Sequence, residues 1–258
     1  MATAGLLVIL AAYGLAIGSF LNVVGIRVLK RESIVYPPSH CVHCNHRLRA
    51  LDLVPVFSYL FLRGRCRYCR APISPIYPIG EAVTAAGFVL AGWQLGLSPE
   101  LFAGLLLVAI MVVISITDIR EMIIPDVVVF PAIVTALLFR LFVHSEPLWS
   151  YLAGAVAGSG ALFLAGWLGS ALFKKESMGG GDVKLYAFAG LILGLPLTAL
   201  SVFLACIIGL LVALVTYKRS IRDRQPIAFG PSIALGCFIS YLWGTPLVNW
   251  YVSMLAGS

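Results

Sequence analysis

Long apolar stretches dominate the chain, separated by short polar turns. Runs near residues 4–28, 79–97, 101–117, 124–143, 149–173, 183–195, 196–217 and 227–254 carry almost no charge. Most approach the ~20 residues that a helix needs to cross a ~30 Å hydrocarbon core. Backbone polar groups in lipid must be satisfied within the chain, which favours helices over irregular segments. The pattern predicts an all-α polytopic membrane protein of about eight transmembrane helices. The sixth run is short and abuts the seventh at Leu195-Pro196, so seven spans is the alternative count. Glycines recur in the fifth run (Gly154, Gly158, Gly160, Gly166, Gly169), which suits close helix packing in lipid.

Composition agrees with this pattern and excludes an ordinary soluble domain. Of 258 residues, 60% are hydrophobic and 11% charged, against about a quarter charged in soluble domains. With eight spans, loop 29–78 and the turns near 118–123, 174–182 and 218–226 share one face. All 18 Lys and Arg except Arg140 lie on or beside that face. The bias makes it cytoplasmic and places both termini outside. Arg140 falls near the outer end of its span, where its long side chain is expected to snorkel to the headgroups. The first run has no positive residue ahead of it and Arg27, Lys30 and Arg31 near its end, so it reads as an anchor and not a cleaved signal peptide. The net charge of +7 then follows from topology and anionic lipid, and no nucleic-acid partner is implied.

Residues 29–78 form the one sizeable polar segment, dividing the chain into a first helix (1–28), this loop, and a membrane core (79–258). The loop holds Cys41-Val42-His43-Cys44 and, 21 residues later, Cys66-Arg67-Tyr68-Cys69. Two such knuckles can converge on one tetrahedral ion, so Cys41, Cys44, Cys66 and Cys69 are candidate ligands of a structural zinc in a ribbon-like loop. Free or redox-active thiols are the alternative, although a cytoplasmic face disfavours disulfides. His40, His43 and His46 are expected to be solvated, because four thiolates already fill the shell. Cys206 and Cys237 lie within spans and read as small apolar residues.

Among the 11 acidic residues, Glu81, Asp118, Asp126 and Asp182 fall at or inside the membrane border, where ionisable groups are costly and usually face a polar cavity. Asp118 ends the third run. Asp182 follows Gly179-Gly180-Gly181. Both fall at the cytoplasmic border and could meet across a bundle as an acid/base pair that activates water against a peptide carbonyl. The glycines would let a substrate backbone approach Asp182. The plainer readings are an N-cap for Asp182 and a solvated helix end for Asp118.

These residues resemble the type IV prepilin peptidase family, within the GxGD class of intramembrane aspartyl proteases. The likeness runs through Gly18-Ser19-Phe20-Leu21-Asn22 with Arg27, then Pro38, both Cys pairs, Asp52, Pro55, Gly64, Tyr77-Pro78 and Glu81. It continues through Asp118 to Ile124-Pro125-Asp126, Gly179 to Asp182 with Lys184, and Phe229-Gly230-Pro231. The resemblance implies catalytic roles for Asp118 and Asp182, with Asp126, Gly179, Gly181, Lys184 and Glu81 in support. It also implies zinc on the four cysteines and leader cleavage from prepilins and type II secretion pseudopilins at the bacterial inner membrane. S-adenosylmethionine-dependent N-methylation of the product is the further implication. No dinucleotide-type glycine loop or Rossmann-sized domain marks the methyl-donor site. Glu81 is a candidate contact there, and equally an ion-pair partner for a loop arginine. A transporter or assembly factor with a zinc-stabilised loop is the non-enzymatic alternative, and a GxGD protease of other specificity is the third. Oligomeric state is not legible.

Overall fold

The structure, a computed structural model, describes residues 3–174, 179–223 and 227–255. Lys175, Glu176, Met178 and Arg224, which the sequence assigns to polar turns, lie outside the described residues. The helices are α1 (Ala4–Lys30), α2 (Phe57–Phe61), α3 (Ile76–Leu95), α4 (Pro99–Glu121), α5 (Asp126–Phe142), α6 (Leu148–Phe173), α7 (Gly180–Leu193), α8 (Leu195–Asp223) and α9 (Gly230–Leu255). Among the described residues there are isolated β-bridges but no strands. All but the five-residue α2 occupy the predicted runs. Six of them (α1, α3, α4, α6, α8 and α9) are long and apolar enough to cross a membrane, so the chain is a multi-pass membrane protein. The other two fall short. With 17 and 14 residues, α5 and α7 rise only about 26 and 21 Å. At Gly194, whose φ is +74°, the chain breaks between α7 and α8, making two helices of what might have been one.

The chain divides into two units, residues 1–101 and 102–258. In the first, α1 and α3 pack antiparallel, because small residues let the backbones approach. Gly14 lies against Ala85 and Gly18 against Glu81, where an added β-carbon would come within 2.6 and 2.7 Å of the opposing α-carbons. Further along the same seam, the Asn22 amide donates to the Tyr77 carbonyl at 2.9 Å. At the end of α1 the Arg27 guanidinium donates to the carbonyls of Ser33 (2.9 Å) and Pro37 (2.6 Å), tying the following segment to the helix.

In the second unit the short helix α7 is the core. Leu185, Tyr186, Phe188, Ala189, Leu191 and Ile192 are buried, as expected of a helix apolar on every side. Its neighbours are α5, α6, α8 and α9. Two of the glycines predicted to pack do so: a β-carbon on Gly154 would meet the Gly194 backbone at 2.8 Å, and one on Gly158 would meet Thr198 at 2.8 Å. Gly160 instead faces open space. On the opposing helix, a β-carbon on Gly190 would collide with the backbone of Gly154 and Ala155.

Arg140 does not snorkel. It is 1% exposed, and its guanidinium donates to the carbonyls of Leu191 (3.2 Å), Ile192 (2.6 Å) and Val143 (3.3 Å). The ring of Tyr151 lies 4.3 Å from it. The reason is the shortness of α7, whose last carbonyls lack intrahelical partners and present the negative end of the helix dipole. A planar fork of donors satisfies several of them at once. Arg140→Met fills a similar volume but donates nothing. It is expected to cost on the order of 3 kcal/mol, read as a lower unfolding temperature in detergent. An unchanged temperature would mean these carbonyls find other partners.

Candidate active site and candidate zinc site

The two border aspartates come from different helix ends. Asp118 sits in the last turn of α4 and Asp182 in the first turn of α7. Both line one cavity of about 380 Å³, together with Met122, Ile124, Gly179, Gly181, Ile227 and Phe229. Asp182 is not an N-cap: Gly179 holds that position, with no side-chain cap bond. Asp118 is not a solvated end either, being 7% exposed. Its Oδ2 accepts the Gly230 backbone N–H at 2.6 Å.

The glycines around the cavity differ in what they allow. A β-carbon on Gly181 would lie 2.7 Å from the Ile124 side chain, so the start of α7 seats against Ile124-Pro125 only without one. Among the described residues, a β-carbon on Gly179 would meet nothing nearer than the Gly181 backbone N at 4.0 Å. Asp126 and Lys184, at the starts of α5 and α7, meet each other: Lys184 Nζ lies 2.7 and 2.9 Å from the two carboxylate oxygens. Both side chains are about half exposed, so the pair contributes little energy. It joins the starts of α5 and α7 beside the cavity.

Gly230, Phe229 and Ile227 did not stand out as site residues from sequence chemistry, since a backbone donor carries no side-chain signal. The usable sign was Phe229-Gly230-Pro231 ahead of an apolar run, where glycine and proline open a helix. Phe229 packs on Gly209 of α8, whose added β-carbon would come within 2.7 Å of the ring. A β-carbon on Gly230 would lie 2.8 Å from Asp118 Oδ2 and 3.0 Å from its Cβ. Gly230→Ala must therefore displace the carboxylate. If Asp118 is catalytic, turnover is expected to fall about 100-fold, the cost of an ångström-scale misplacement, with little change in unfolding temperature. Turnover at the wild-type rate would separate the Asp118 position from the chemistry.

In the other unit the two Cys-x-x-Cys turns have the same form. Asn45 N–H donates to the Cys41 carbonyl (2.8 Å) and Arg70 N–H to the Cys66 carbonyl (3.0 Å). Asn45 and Arg70 both take positive φ, 54° and 63°. Isolated bridges His40–Arg47 and Arg65–Pro72 close the turns. The Sγ atoms of Cys41, Cys44, Cys66 and Cys69 lie within 4.8 Å of one another. Cys41 and Cys69 are 3.8 Å apart, which matches the edge of about 3.8 Å that follows from Zn–S bonds of about 2.3 Å in a tetrahedron. Burial alone would raise the Cys41 thiol, but the N–H groups of Cys44 and His43 bring it down to about 6. Cys69, which the Ala71 N–H would lower, is pushed up to about 11 by burial and the neighbouring thiols, as close thiols oppose one another's ionisation. The residues fit a zinc ion. His40, His43 and His46 are exposed, and His46 stacks on Tyr68 with ring centroids 3.7 Å apart.

Asp52 links the knuckles to the segment between them. Its side chain is 4% exposed and accepts from Arg49 N (3.1 Å), Arg67 Nε (2.6 Å) and the Tyr68 hydroxyl (3.0 Å). Burial opposes ionisation, yet these donors hold the carboxyl below its ordinary 3.8. A lowered folded-state value means that the contribution of Asp52 is fully present above 3.8 and fades only as pH falls through the lower value. Acid release of zinc between pH 7 and 5 is thus expected to follow thiol protonation alone. Asp52→Asn should speed release several-fold at every pH in that window, measured with a colorimetric chelator. An Asp52→Asn effect that vanishes toward pH 5 would contradict this.

Glu81 lies on α3, in the first unit. Its Oε2 accepts the Val56 N–H at 2.7 Å and the carboxylate also accepts from the Ser19 hydroxyl, so its partners are a backbone amide and a serine and not a loop arginine. Val56, at φ 61° and ψ −50°, precedes α2 in a conformation unusual for a β-branched residue.

Fold and site together define a multi-pass helical membrane protein with a two-aspartate cavity at helix ends and a four-cysteine loop. The chain belongs to the type IV leader peptidase family. Residues 12–95 match the bacterial peptidase A24 N-terminal domain, and residues 105–214 the type IV leader peptidase family proper. A prepilin leader peptidase/N-methyltransferase of Bacillus subtilis (strain 168) is 36% identical over 254 residues, covering 98% of this chain and 100% of the relative. Proteins of the same name from Aeromonas hydrophila and Neisseria gonorrhoeae are 35% and 34% identical, covering 93% and 94% of this chain and 92% and 93% of their own length. No solved structure matches the chain.

Proposed function

We propose that the protein is an aspartic endopeptidase that removes the basic leader from type IV prepilins and type II secretion pseudopilins, with Asp118 and Asp182 as its catalytic pair. The observation that carries this reading is the shared cavity: two carboxylates from distant parts of the chain line one pocket at helix ends. One aspartate takes a proton from water as the water oxygen attacks the scissile carbonyl carbon. The other protonates the departing amine as the C–N bond breaks. Gly179, which lines the cavity without a side chain, lets an unwound substrate backbone approach. Asp126 and Lys184 hold the starts of α5 and α7, and Gly181 lets α7 seat. The bias of Lys and Arg to one face puts this border, with loop 29–78, in the cytoplasm of a bacterium's inner membrane and both termini outside. On that reading α5 and α7 complete a set of eight spans, with their short ends buried in protein.

The names of the relatives extend the reading to N-methylation of the new N-terminus with S-adenosylmethionine as donor. Zinc on Cys41, Cys44, Cys66 and Cys69 gives the 29–78 domain its shape. The test incubates purified protein with a prepilin, with and without S-adenosylmethionine, and weighs the products. Leader loss is expected in wild type and a reduction of at least about 10³-fold in Asp118→Asn and in Asp182→Asn, with a methyl-sized gain only when the donor is present. Undiminished cleavage in both variants would rule out the aspartate mechanism. Folded wild type that leaves prepilin intact would return the chain to the transporter or assembly-factor reading.

A further inference from the structure

The 20 residues of α3 rise about 30 Å, enough to cross the hydrocarbon core, so a membrane-spanning α3 puts its two ends near the two borders. Glu81 lies five residues, or about 7.5 Å, inside the end at which loop 29–78 returns. Through the 2.7 Å bond from Val56 N–H to Glu81 Oε2, the start of α2 is pinned at that level. The exposed side of α2 is a single stripe: Phe57, Leu60 and Phe61 are 53, 63 and 82% exposed at i, i+3 and i+4 spacing. Leu53 and Val54 extend it at 40 and 39%. On α3, Ile79 and Val83 are 57 and 52% exposed on either side of Glu81, so an apolar surface is already exposed at this depth. Arg63 and Arg65, both exposed, follow the stripe in sequence.

Five aromatic and aliphatic side chains exposed on a short segment of a polar loop would be a liability in water. The same segment, followed by arginines and held within 10 Å of the border, has the form of an interfacial membrane element, whose apolar face sinks ~5–10 Å into the headgroup–acyl boundary. We infer that α2 with Leu53 and Val54 is a lipid-interface anchor: Phe57, Leu60 and Phe61 enter the leaflet at which α3 begins, and Arg63 and Arg65 meet its anionic headgroups. The bond to Glu81 sets the depth of the anchor. This goes beyond the peptidase reading and is independent of it, since it needs only a membrane-spanning α3.

The test places a nitroxide at Phe61 through Phe61→p-acetylphenylalanine and ketoxime coupling, which leaves the cysteines untouched. The full chain is held in nanodiscs of phosphatidylethanolamine and phosphatidylglycerol. Trp93→p-acetylphenylalanine, at an exposed position of α3 (62%), gives the lipid reference. Collisions with oxygen are expected to exceed those with a water-soluble nickel chelate at both sites. Leu60→p-acetylphenylalanine should repeat the result, and it stands in if the first variant loses its zinc. Nickel collisions dominating at 60 or 61 would overturn the inference. Shielding from both relaxers, or loss of nickel access only after prepilin is added, would also overturn it and give the stripe to protein or substrate.

Discussion

A helix too short to reach water at both ends needs partners for its terminal backbone groups, and α7 is the helix on which the second unit is built. Its last carbonyls are taken by Arg140, and its first turn seats against Ile124 through Gly181. These contacts set the height of α7, and so the level at which Asp182 meets the cavity. A charged residue deep in a membrane protein is costly unless it is fully hydrogen-bonded, and carbonyls at a buried helix end are costly for the same reason. Each offsets the other at Arg140.

Close approach is the second theme, and it falls to glycine where backbones or reactive groups would otherwise be held apart. Gly14 and Gly18 bring α1 onto α3, and Gly154 and Gly190 bring α6 onto α7. Gly230 brings the start of α9 to Asp118, giving the carboxylate a backbone donor in place of a side chain. In membranes, where lipid competes with helices for apolar contact, such fit replaces the hydrophobic drive of soluble cores. The same geometry that packs the helices thus also frames the cavity.

The polar loop follows a different logic. It has few buried apolar residues, and its order comes from the two matching turns, the Asp52 hub and ties to both flanking helices. Arg27 holds the segment after α1 and Glu81 holds the start of α2. A bound zinc would close the remaining degrees of freedom, as metal binding does in small domains without cores.

Helix class, membrane residence, the sites of the helices and the four thiols were legible in the sequence, because each is written in local spacing or composition: apolar runs, charge bias, Cys-x-x-Cys. The two border aspartates were legible as candidates because carboxylates are rare in such a chain. Whether they share a cavity was not, since nothing local says which helix ends adjoin. Nor were the role of Arg140, the partner of Glu81, or the Gly230 donor. Arg140 reads as a snorkelling residue until the end of α7 is seen beside it. Glu81 reads equally as a methyl-donor contact and as an ion-pair partner, and the Val56 amide seen beside it replaces the second reading. The sequence determines which groups need partners; only the tertiary structure decides which partners they find, because backbone donors and acceptors look alike at every position until folding selects a few of them.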